Sequence, residues 1–166
     1  MQNRININIM MPDDSGSNIP LHSDTHSGES PFQCVMWLPL TDVYDSKSIF
    51  LLNPEKNADV LHRFRKLMED GGRERVMREI KSELTCVTIP YGSFILFSPN
   101  LIHGSMVNKT SETRWSLNTR FKGLFTPYAS EEKSLGSFYL PIRVSPATKF
   151  GLKYSSVNES SQQKKL

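Results

Sequence analysis

Residues 90–107 read PYGSFILFSPNLIHGSMV and hold two short apolar runs separated by turn residues. The run from Ser93 to Ser98 is rich in large apolar side chains, which predicts a strand. The Ser98-Pro99-Asn100 sequence predicts a turn, because proline and asparagine favour turn conformations. A second short apolar stretch follows and carries His103. The segment therefore indicates short neighbouring strands of a β-sheet protein.

Similar patterns recur along most of the chain. Arg4 to Met11 alternates isoleucine with asparagine, which predicts a half-buried strand. With the other apolar runs, eight strand-like segments separated by Pro and Gly turns predict a mainly β fold, the jelly-roll double sheet also called the double-stranded β-helix. At residues 54–82 apolar side chains recur at helical spacing instead, so a helical insertion interrupts the strands.

Three residues could hold one metal ion. On an extended strand, residues i and i+2 point to the same side, so His22 and Asp24 can reach one ion together. His103, about eighty residues later, can supply a third ligand from a distant strand. A lone His-x-Asp tripeptide is more often an ordinary loop. Two imidazoles and a carboxylate in this order predict a non-haem Fe(II) site with open positions, as oxygenases require.

Other side chains near these residues could bind small molecules. Arg114 follows His103 by eleven residues, and its planar guanidinium matches a carboxylate. Ser116 lies two positions further and shares its strand face. Arg120 shares that face too, and could bind a substrate anion or form a surface ion pair. His26 lies two residues past Asp24, where it could contact substrate or simply be exposed.

The motifs around these residues resemble a known family. The His22-to-Asp24 run, the Leu101-Ile102-His103-Gly104-Ser105 stretch and the Arg114-Trp115-Ser116 tripeptide resemble 2-oxoglutarate- and Fe(II)-dependent oxygenases of the phytanoyl-CoA dioxygenase-like branch. The resemblance covers roughly residues 20 to 122. Within that branch, the motifs most resemble those of oxygenases from carbohydrate and aminoglycoside biosynthetic clusters. It implies that His22, Asp24 and His103 bind iron. It also implies that Arg114, assisted by Ser116, pairs with the distal carboxylate of 2-oxoglutarate.

The resemblance implies a reaction class. The expected protein is a dioxygenase that uses Fe(II), 2-oxoglutarate and dioxygen to hydroxylate or otherwise oxidise a small polar metabolite, such as a sugar or a sugar-containing natural product. Related halogenases replace the carboxylate ligand by a small residue, so Asp24 favours oxidation without halogenation. A cupin-type metal- or sugar-binding protein or isomerase is the alternative, because one fold serves many functions.

Composition is that of one ordinary globular domain. The chain has 166 residues, of which 37% are hydrophobic and 22% charged, and a net charge of +3, which is no nucleic-acid signature. We expect a single domain at residues 1–154 and a disordered polar tail at 155–166. Cys34 and Cys86 lie in apolar runs and predict buried thiols without a disulfide. The sequence shows no signal peptide and no membrane span, which predicts a cytoplasmic protein.

The segment before the metal-binding motif is short. Only 21 residues precede His22, whereas members of this branch usually carry more. The chain is therefore expected to be a minimal form or a fragment. Either way, we expect an exposed apolar patch that a homodimer or a missing segment covers.

Overall fold

The computed structural model describes residues 1–128, 130–151 and 153. In chain order, its elements are β1 (Asn6–Met10), β2 (Gln33–Pro39), β3 (Ile49–Leu52), α1 (Pro54–Ile80), β4 (Leu84–Cys86), β5 (Ile95–Phe97), β6 (His103–Ser105) and β7 (Arg114–Lys122). Short 3-10 turns lie at Thr25–Ser27, Asp45–Lys47 and Lys81–Glu83.

The strands form two antiparallel sheets that face each other. One sheet has the order β1-β7-β2-β5 and the other β4-β3-β6. Val35 and Trp37 of the first sheet share one buried cluster with Ile49 of the second, so the two inner faces pack together. This mainly β arrangement, with one helical insertion, is the predicted jelly roll.

The predicted strand that carries His22 is reduced to an isolated bridge. His22 pairs antiparallel with His103, through His22 N–H to His103 O at 3.0 Å and His103 N–H to His22 O at 2.9 Å. The bridge lies beside β6 and extends the three-stranded sheet at its edge. Gly104 permits the close approach, because a Cβ there would lie 3.0 Å from the Ile19 carbonyl oxygen and 3.2 Å from Leu21 Cα, just before His22. The position of His22 thus depends on a glycine in the facing strand.

The helical insertion is a kinked helix that closes the second sheet. α1 bends at Gly71 and Gly72, where Gly72 has a φ of 63° that favours glycine. Arg63 donates to Asp59 before the bend and to Glu79 after it, which ties the two halves together. The buried apolar side chains of α1 pack on β3 and complete a second core cluster. The members of this cluster are Leu21, Phe50, Leu52, Val60, Phe64, Leu67, Val76, Ile80 and Ile102.

Strand β1 turns its polar side chains toward the core and its isoleucines toward the outside, the reverse of the usual arrangement. Its apolar side chains face outward, with Ile7 56% and Ile9 40% exposed, whereas Met10 is buried and Asn8 half-buried. The strand was expected to be half-buried, and the alternation is indeed present, but the isoleucines lie on the open side. The reason is the polar inner face that the neighbouring strand β7 presents.

The polar tail expected at residues 155–166 lies outside the described residues. Within the part of the chain that is described, no helix has both the length and the hydrophobicity needed to span a bilayer.

Candidate active site

The three predicted metal ligands come together between the two sheets. One ligand atom each from His22, Asp24 and His103 lie within 4.8 Å of one another. The two imidazole rings are 4.2 Å apart between centroids, and the edge of Phe97 packs on His103 at 4.9 Å. Asp24 and His103 are buried and His22 is half-buried. Two imidazoles and one carboxylate at this spacing are a suitable donor set for a divalent metal.

Asp24 is not on an extended strand as expected. Its φ of −58° and ψ of −36° are helical, and it begins the 3-10 turn Thr25–Ser27. The turn brings its carboxylate back toward His22, with Asp24 Oδ1 3.4 Å from His22 Nε2. Ser23 fixes the turn, because its hydroxyl contacts Thr25 at 2.8 Å and donates to the Pro99 carbonyl at 3.3 Å. A local turn therefore brings the two ligands together, where same-side strand geometry was expected.

Both histidines have the tautomer that metal binding needs. His22 Nδ1 lies 2.8 Å from the Pro20 carbonyl, and His103 Nδ1 lies 2.8 Å from the Leu101 carbonyl. A carbonyl can only accept, so each Nδ1 carries the proton and donates it. Each Nε2 then keeps a free lone pair for a metal, which is the usual support for ligating histidines.

The charges of the site suit a cation. Burial, and then the proximity of His22, lower the pKa of His103 to about 4, so its imidazole is neutral at physiological pH. Burial alone would raise the pKa of Asp24, but the close His22 ring and the hydrogen bonds from Arg120 outweigh it and hold that pKa well below its usual range. His103 is therefore a neutral imidazole and Asp24 a carboxylate anion, so neither needs deprotonation before it binds a metal.

Arg120 pairs directly with one of the candidate ligands. Its Nε donates to Asp24 Oδ2 and its Nη2 to Asp24 Oδ1, both at 3.0 Å. Its third nitrogen, Nη1, donates to the Gln2 side chain at 3.3 Å. The sequence left a substrate-anion site and a surface ion pair open for Arg120. The pair that forms is a buried one, with the Arg120 side chain 13% exposed.

Arg114 is fully buried and has no counterion among the residues that the structure describes. Its Nη2 donates to the Asn8 side-chain oxygen and its Nη1 to the Lys47 carbonyl at 3.2 Å, and both acceptors are neutral. Its Nε has no hydrogen-bond partner within the described residues. Burial lowers the pKa of Arg114 to about 10, so the group stays charged at neutral pH. A buried, uncompensated guanidinium is costly unless an anion binds it.

Arg114 and Arg120 both lie on the inner face of β7, six residues apart. Arg120, beside Asp24, pairs with Val35, whereas Arg114 pairs with Met10 of β1, so their Cα atoms are separated by about 20 Å along the strand. The Arg114 side chain reaches toward β2, with its guanidinium 5.6 Å from the ring of Trp37, the inward residue next to Val35. The guanidinium therefore lies on the side of Arg114 that is nearer to the metal ligands. Ser116, on the same inner face, is buried, and its hydroxyl lies 3.5 Å from the Asn8 carbonyl.

His26 lies at the edge of this region. It belongs to the 3-10 turn Thr25–Ser27 and is exposed, with its ring 4.7 Å from Phe64 of α1. Burial against this helix, and then Arg65, lower its pKa. Because the chain turns after Asp24, His26 packs on the helical insertion and does not continue a strand face.

Comparison with known proteins agrees with this geometry. The family profile described as phytanoyl-CoA dioxygenase (PhyH) matches residues 1–116. The chain belongs to this family. A comparison with curated proteins finds no match. The PhyH-family match covers His22, Asp24, His103, Arg114 and Ser116, and ends before Arg120.

Solved structures share the fold at low sequence identity. AviO1 from Streptomyces viridochromogenes is 17% identical with a TM-score of 0.56, over 78% of this chain and 54% of its own. SnoK, a non-haem α-ketoglutarate-dependent carbocyclase from nogalamycin biosynthesis, is 14% identical with a TM-score of 0.56, over 84% and 59%. EctD from S. alaskensis with bound Fe is 17% identical with a TM-score of 0.55, over 75% and 45%. This PhyH-family chain thus spans only about half the length of these proteins.

Sequence reasoning missed several polar residues that support the site. Asn8 is the partner of Arg114, and Gln2 is a partner of Arg120. Asn118 lies between the two arginines on β7, and its Oδ1 is buried without a hydrogen-bond partner among the described residues. The alternation of asparagine with isoleucine before Met10 was the available signal for Asn8. For Gln2 and Asn118, the sequence contains no signal that we can identify.

Proposed function

We propose that this chain is the core of an Fe(II)- and 2-oxoglutarate-dependent dioxygenase that oxidises a small polar metabolite. The observation that carries the proposal is the buried Arg114, charged and without a counterion among the described residues, on the same strand face as the arginine that pairs with Asp24 of a two-histidine, one-carboxylate cluster. A metal site alone would not need that cation. A dicarboxylate co-substrate anchored at both ends does.

The metal site suits Fe(II). His22, Asp24 and His103 supply two nitrogens and one oxygen, the set typical of non-haem Fe(II) oxygenases. Their Nδ1–H groups and the Arg120 pair hold the ligand atoms in place before the ion arrives. A preorganised set of this kind binds without a folding cost.

The inner face of β7 suits 2-oxoglutarate. The keto and adjacent carboxylate oxygens would bind at the metal, and the distal carboxylate would pair with Arg114 on the same inner face. The Arg114 Nε, which has no hydrogen-bond partner among the described residues, and the hydroxyl of Ser116 can donate to that carboxylate. The ion pair between Arg114 and the distal carboxylate would also neutralise the buried guanidinium. This explains why a cation is tolerated at that position.

The protein groups orient the reactants and keep water out. Iron with 2-oxoglutarate supplies oxidative decarboxylation to succinate and CO2, with one oxygen atom of dioxygen passed to the substrate. Asp24 fills the position that a halide would need, so hydroxylation or a similar oxidation is the expected outcome. His103, neutral and packed under Phe97, keeps its lone pair available and does not exchange protons with substrate.

The substrate class rests on the motif resemblance to oxygenases of carbohydrate and aminoglycoside clusters. Sugars and sugar-containing natural products are therefore the first candidates. His26, exposed at the turn after Asp24, is the proposed substrate contact outside the metal cluster. A panel of nucleotide sugars and small polar metabolites, assayed by substrate-dependent succinate release, tests this class.

A homodimer in the cytoplasm is the proposed physical state. The outer apolar face of the first sheet consists of Ile7, Ile9, Leu38, Leu96, Trp115 and Leu117, which register places on one side. Ile7, Leu96 and Trp115 are 56%, 57% and 43% exposed. Such a face normally has a cover, and a second copy is the one proposed. Cys34 and Cys86 are free thiols, which suits a reducing compartment.

An anaerobic titration tests the central proposal. Fe(II) added together with 2-oxoglutarate should give the weak visible charge-transfer band of a chelated keto acid, at one ion per chain. A cupin-type binding protein without oxygenase chemistry should bind metal or sugar and give no such band. Absence of the band with wild-type protein would refute the proposed function.

A further inference from the structure

The Arg120 side chain contacts Asp24, a candidate metal ligand, and does not face an open surface. We propose that it is a positioning residue that restricts Asp24 to offering a single oxygen, Oδ1, to the metal ion. The inference rests on the proposed function and assigns to Arg120 a role that differs from binding a substrate anion. Its basis is the geometry of one carboxylate between a guanidinium and two imidazoles.

The contacts distinguish the two oxygens of Asp24. Oδ2 lies 3.0 Å from both Nε and Nη2 of Arg120, so it faces the guanidinium. Oδ1 receives one contact from Nη2, also at 3.0 Å, and is the oxygen 3.4 Å from His22 Nε2. Oδ1 is therefore the oxygen whose contact with a histidine ligand atom the structure gives. Oδ2 has its closest contacts with two nitrogens of the guanidinium.

The guanidinium itself has little freedom to move. Arg120 sits on β7 opposite Val35, in the middle of the four-stranded sheet. Its backbone carbonyl accepts the Gln2 N–H at 2.8 Å, and its Nη1 donates to the Gln2 side chain. Gln2 and Asp24 are both buried. A planar fork fixed at both ends sets the rotation of the carboxylate plane.

Restricting Asp24 to one oxygen matters for what else can bind. A carboxylate can bind a metal through one oxygen or through both. If Asp24 used both, it would occupy a position that the keto acid or dioxygen needs at an octahedral ion. With Oδ2 held by Arg120, the protein supplies three ligand atoms and leaves the remaining positions open. Arg120 thus protects co-substrate binding without contacting the co-substrate.

A substrate-anion role fits these contacts less well. Three of the five N–H groups of Arg120 already donate to Asp24 or Gln2. An incoming carboxylate could take the two-donor edge formed by Nε and Nη2 only by displacing Asp24 from it. Arg114, by contrast, has neutral acceptors, and its Nε has no hydrogen-bond partner among the described residues. The two arginines of β7 therefore have separate tasks.

The test is Arg120→Lys, which keeps the positive charge but replaces the planar fork by a single donor group. Calorimetry with Mn(II), followed by 2-oxoglutarate added to the Mn(II)-loaded protein, measures the two affinities separately. We expect Mn(II) to bind at least as tightly as in wild type, because Asp24 gains its second oxygen. The affinity for 2-oxoglutarate should fall by about tenfold, and the visible band with Fe(II) should weaken in parallel.

A matched control is Arg63→Lys, the same exchange at an ion-paired arginine of α1. It should leave both affinities unchanged. Equal 2-oxoglutarate affinity in Arg120→Lys and wild type would overturn the inference alone. So would a parallel loss of Mn(II) affinity and thermal stability, because that pattern means Arg120 merely shapes the fold. If wild-type protein binds no Mn(II) or no 2-oxoglutarate, the proposed function fails and the inference with it.

A second variant covers the case in which Arg120→Lys does not fold. Gln2→Met removes the acceptor of Nη1 at nearly constant volume and keeps the backbone hydrogen bond to Arg120. It should weaken 2-oxoglutarate binding in the same direction, by a smaller factor, with Mn(II) affinity retained. No change in 2-oxoglutarate affinity in a folded Gln2→Met protein would count against the inference.

Discussion

Arg114→Met separates the cost of a buried charge from its use. Methionine keeps a long unbranched side chain and removes the guanidinium. Burial lowers the pKa of Arg114 from 12.5 to about 10, which corresponds to a penalty of about 3 kcal/mol for keeping the charge in the folded protein. Removing the charge recovers that penalty. The variant would therefore gain stability if nothing else changed.

Two acceptors lose their donor in the same exchange. The Asn8 side-chain oxygen and the Lys47 carbonyl would be left without Arg114, at a cost of about 1–3 kcal/mol for each buried group without a partner. The gain and the loss nearly cancel. Without co-substrate, we expect the free energy of unfolding to change by no more than about 2 kcal/mol in either direction.

Co-substrate binding should respond very differently. Removing the charged partner of a desolvated carboxylate reduces the binding free energy by on the order of 2–5 kcal/mol. This corresponds to a roughly thirtyfold to several-thousandfold weaker affinity for 2-oxoglutarate. Metal affinity should stay as in wild type, because Arg114 does not touch His22, Asp24 or His103. Urea unfolding without ligands and calorimetry on Mn(II)-loaded protein measure the two effects separately.

The control is Arg63→Met, which removes an arginine from exposed ion pairs on α1. It should leave 2-oxoglutarate affinity unchanged. A large loss of stability in Arg114→Met, with 2-oxoglutarate affinity intact, would refute the reasoning and make Arg114 a structural residue. The same binding loss in Arg120→Met, but not in Arg114→Met, would show that the wrong arginine was assigned to the co-substrate.

Three further predictions concern the metal, pH and assembly. Asp24→Ala should lose Fe(II) binding, measured by calorimetry with Mn(II) as a stable substitute, because the only charged ligand is removed. Metal-free protein should lose stability as the pH falls from about 6.5 to about 4, by up to about 3 kcal/mol from His103, and the lowered pKa of Asp24 should make stability fall further below about pH 4. The folded-state pKa of His103 is depressed, so between pH 6.5 and about 4 the unfolded chain binds a proton that the folded protein does not. Leu96→Lys should shift the proposed homodimer to monomer in light scattering, because it places a charge on the outer apolar face.

Each of these predictions has a control on the surface of the protein. Asp59→Ala, at an exposed residue of α1, should leave Mn(II) affinity unchanged. Urea unfolding of His103→Gln should show a flatter pH dependence than wild type, whereas His62→Gln should not, and identical slopes would disprove the assignment to His103. Tyr91→Lys, at an exposed turn, should not alter the oligomeric state. A wild-type monomer in light scattering would exclude the homodimer.

The parts of the site that follow strand periodicity could be predicted from the sequence. Arg114 and Ser116 share the inner face of β7, as two residues at i and i+2 of a strand must. His103 comes to His22 because β6 lies at the edge of its sheet, next to the bridging segment. These relations depend on local alternation and on the order of the apolar runs, and both are visible in the sequence.

The pairing of Arg120 with Asp24 could not be predicted in the same way. The two residues are separated by 96 positions, and their contact depends on how β7 packs beside a 3-10 turn. Periodicity showed that Arg120 faces inward, but not which group it would meet there. The turn at Asp24 was missed because the backbone after His22 is fixed by contacts of Ser23 with Pro99, which are distant in sequence.

The inverted face of β1 links the active site to the proposed assembly. An alternating strand normally turns its isoleucines toward the core. Here β1 lies next to β7, whose inner face must carry Arg114, and that guanidinium needs a neutral acceptor that only Asn8 provides from the neighbouring strand. Turning Asn8 inward forces Ile7 and Ile9 outward, because side chains alternate strictly along a strand. The apolar outer face is therefore a consequence of holding a charged residue in the interior, and the proposed second copy would cover a face that the same geometry leaves exposed.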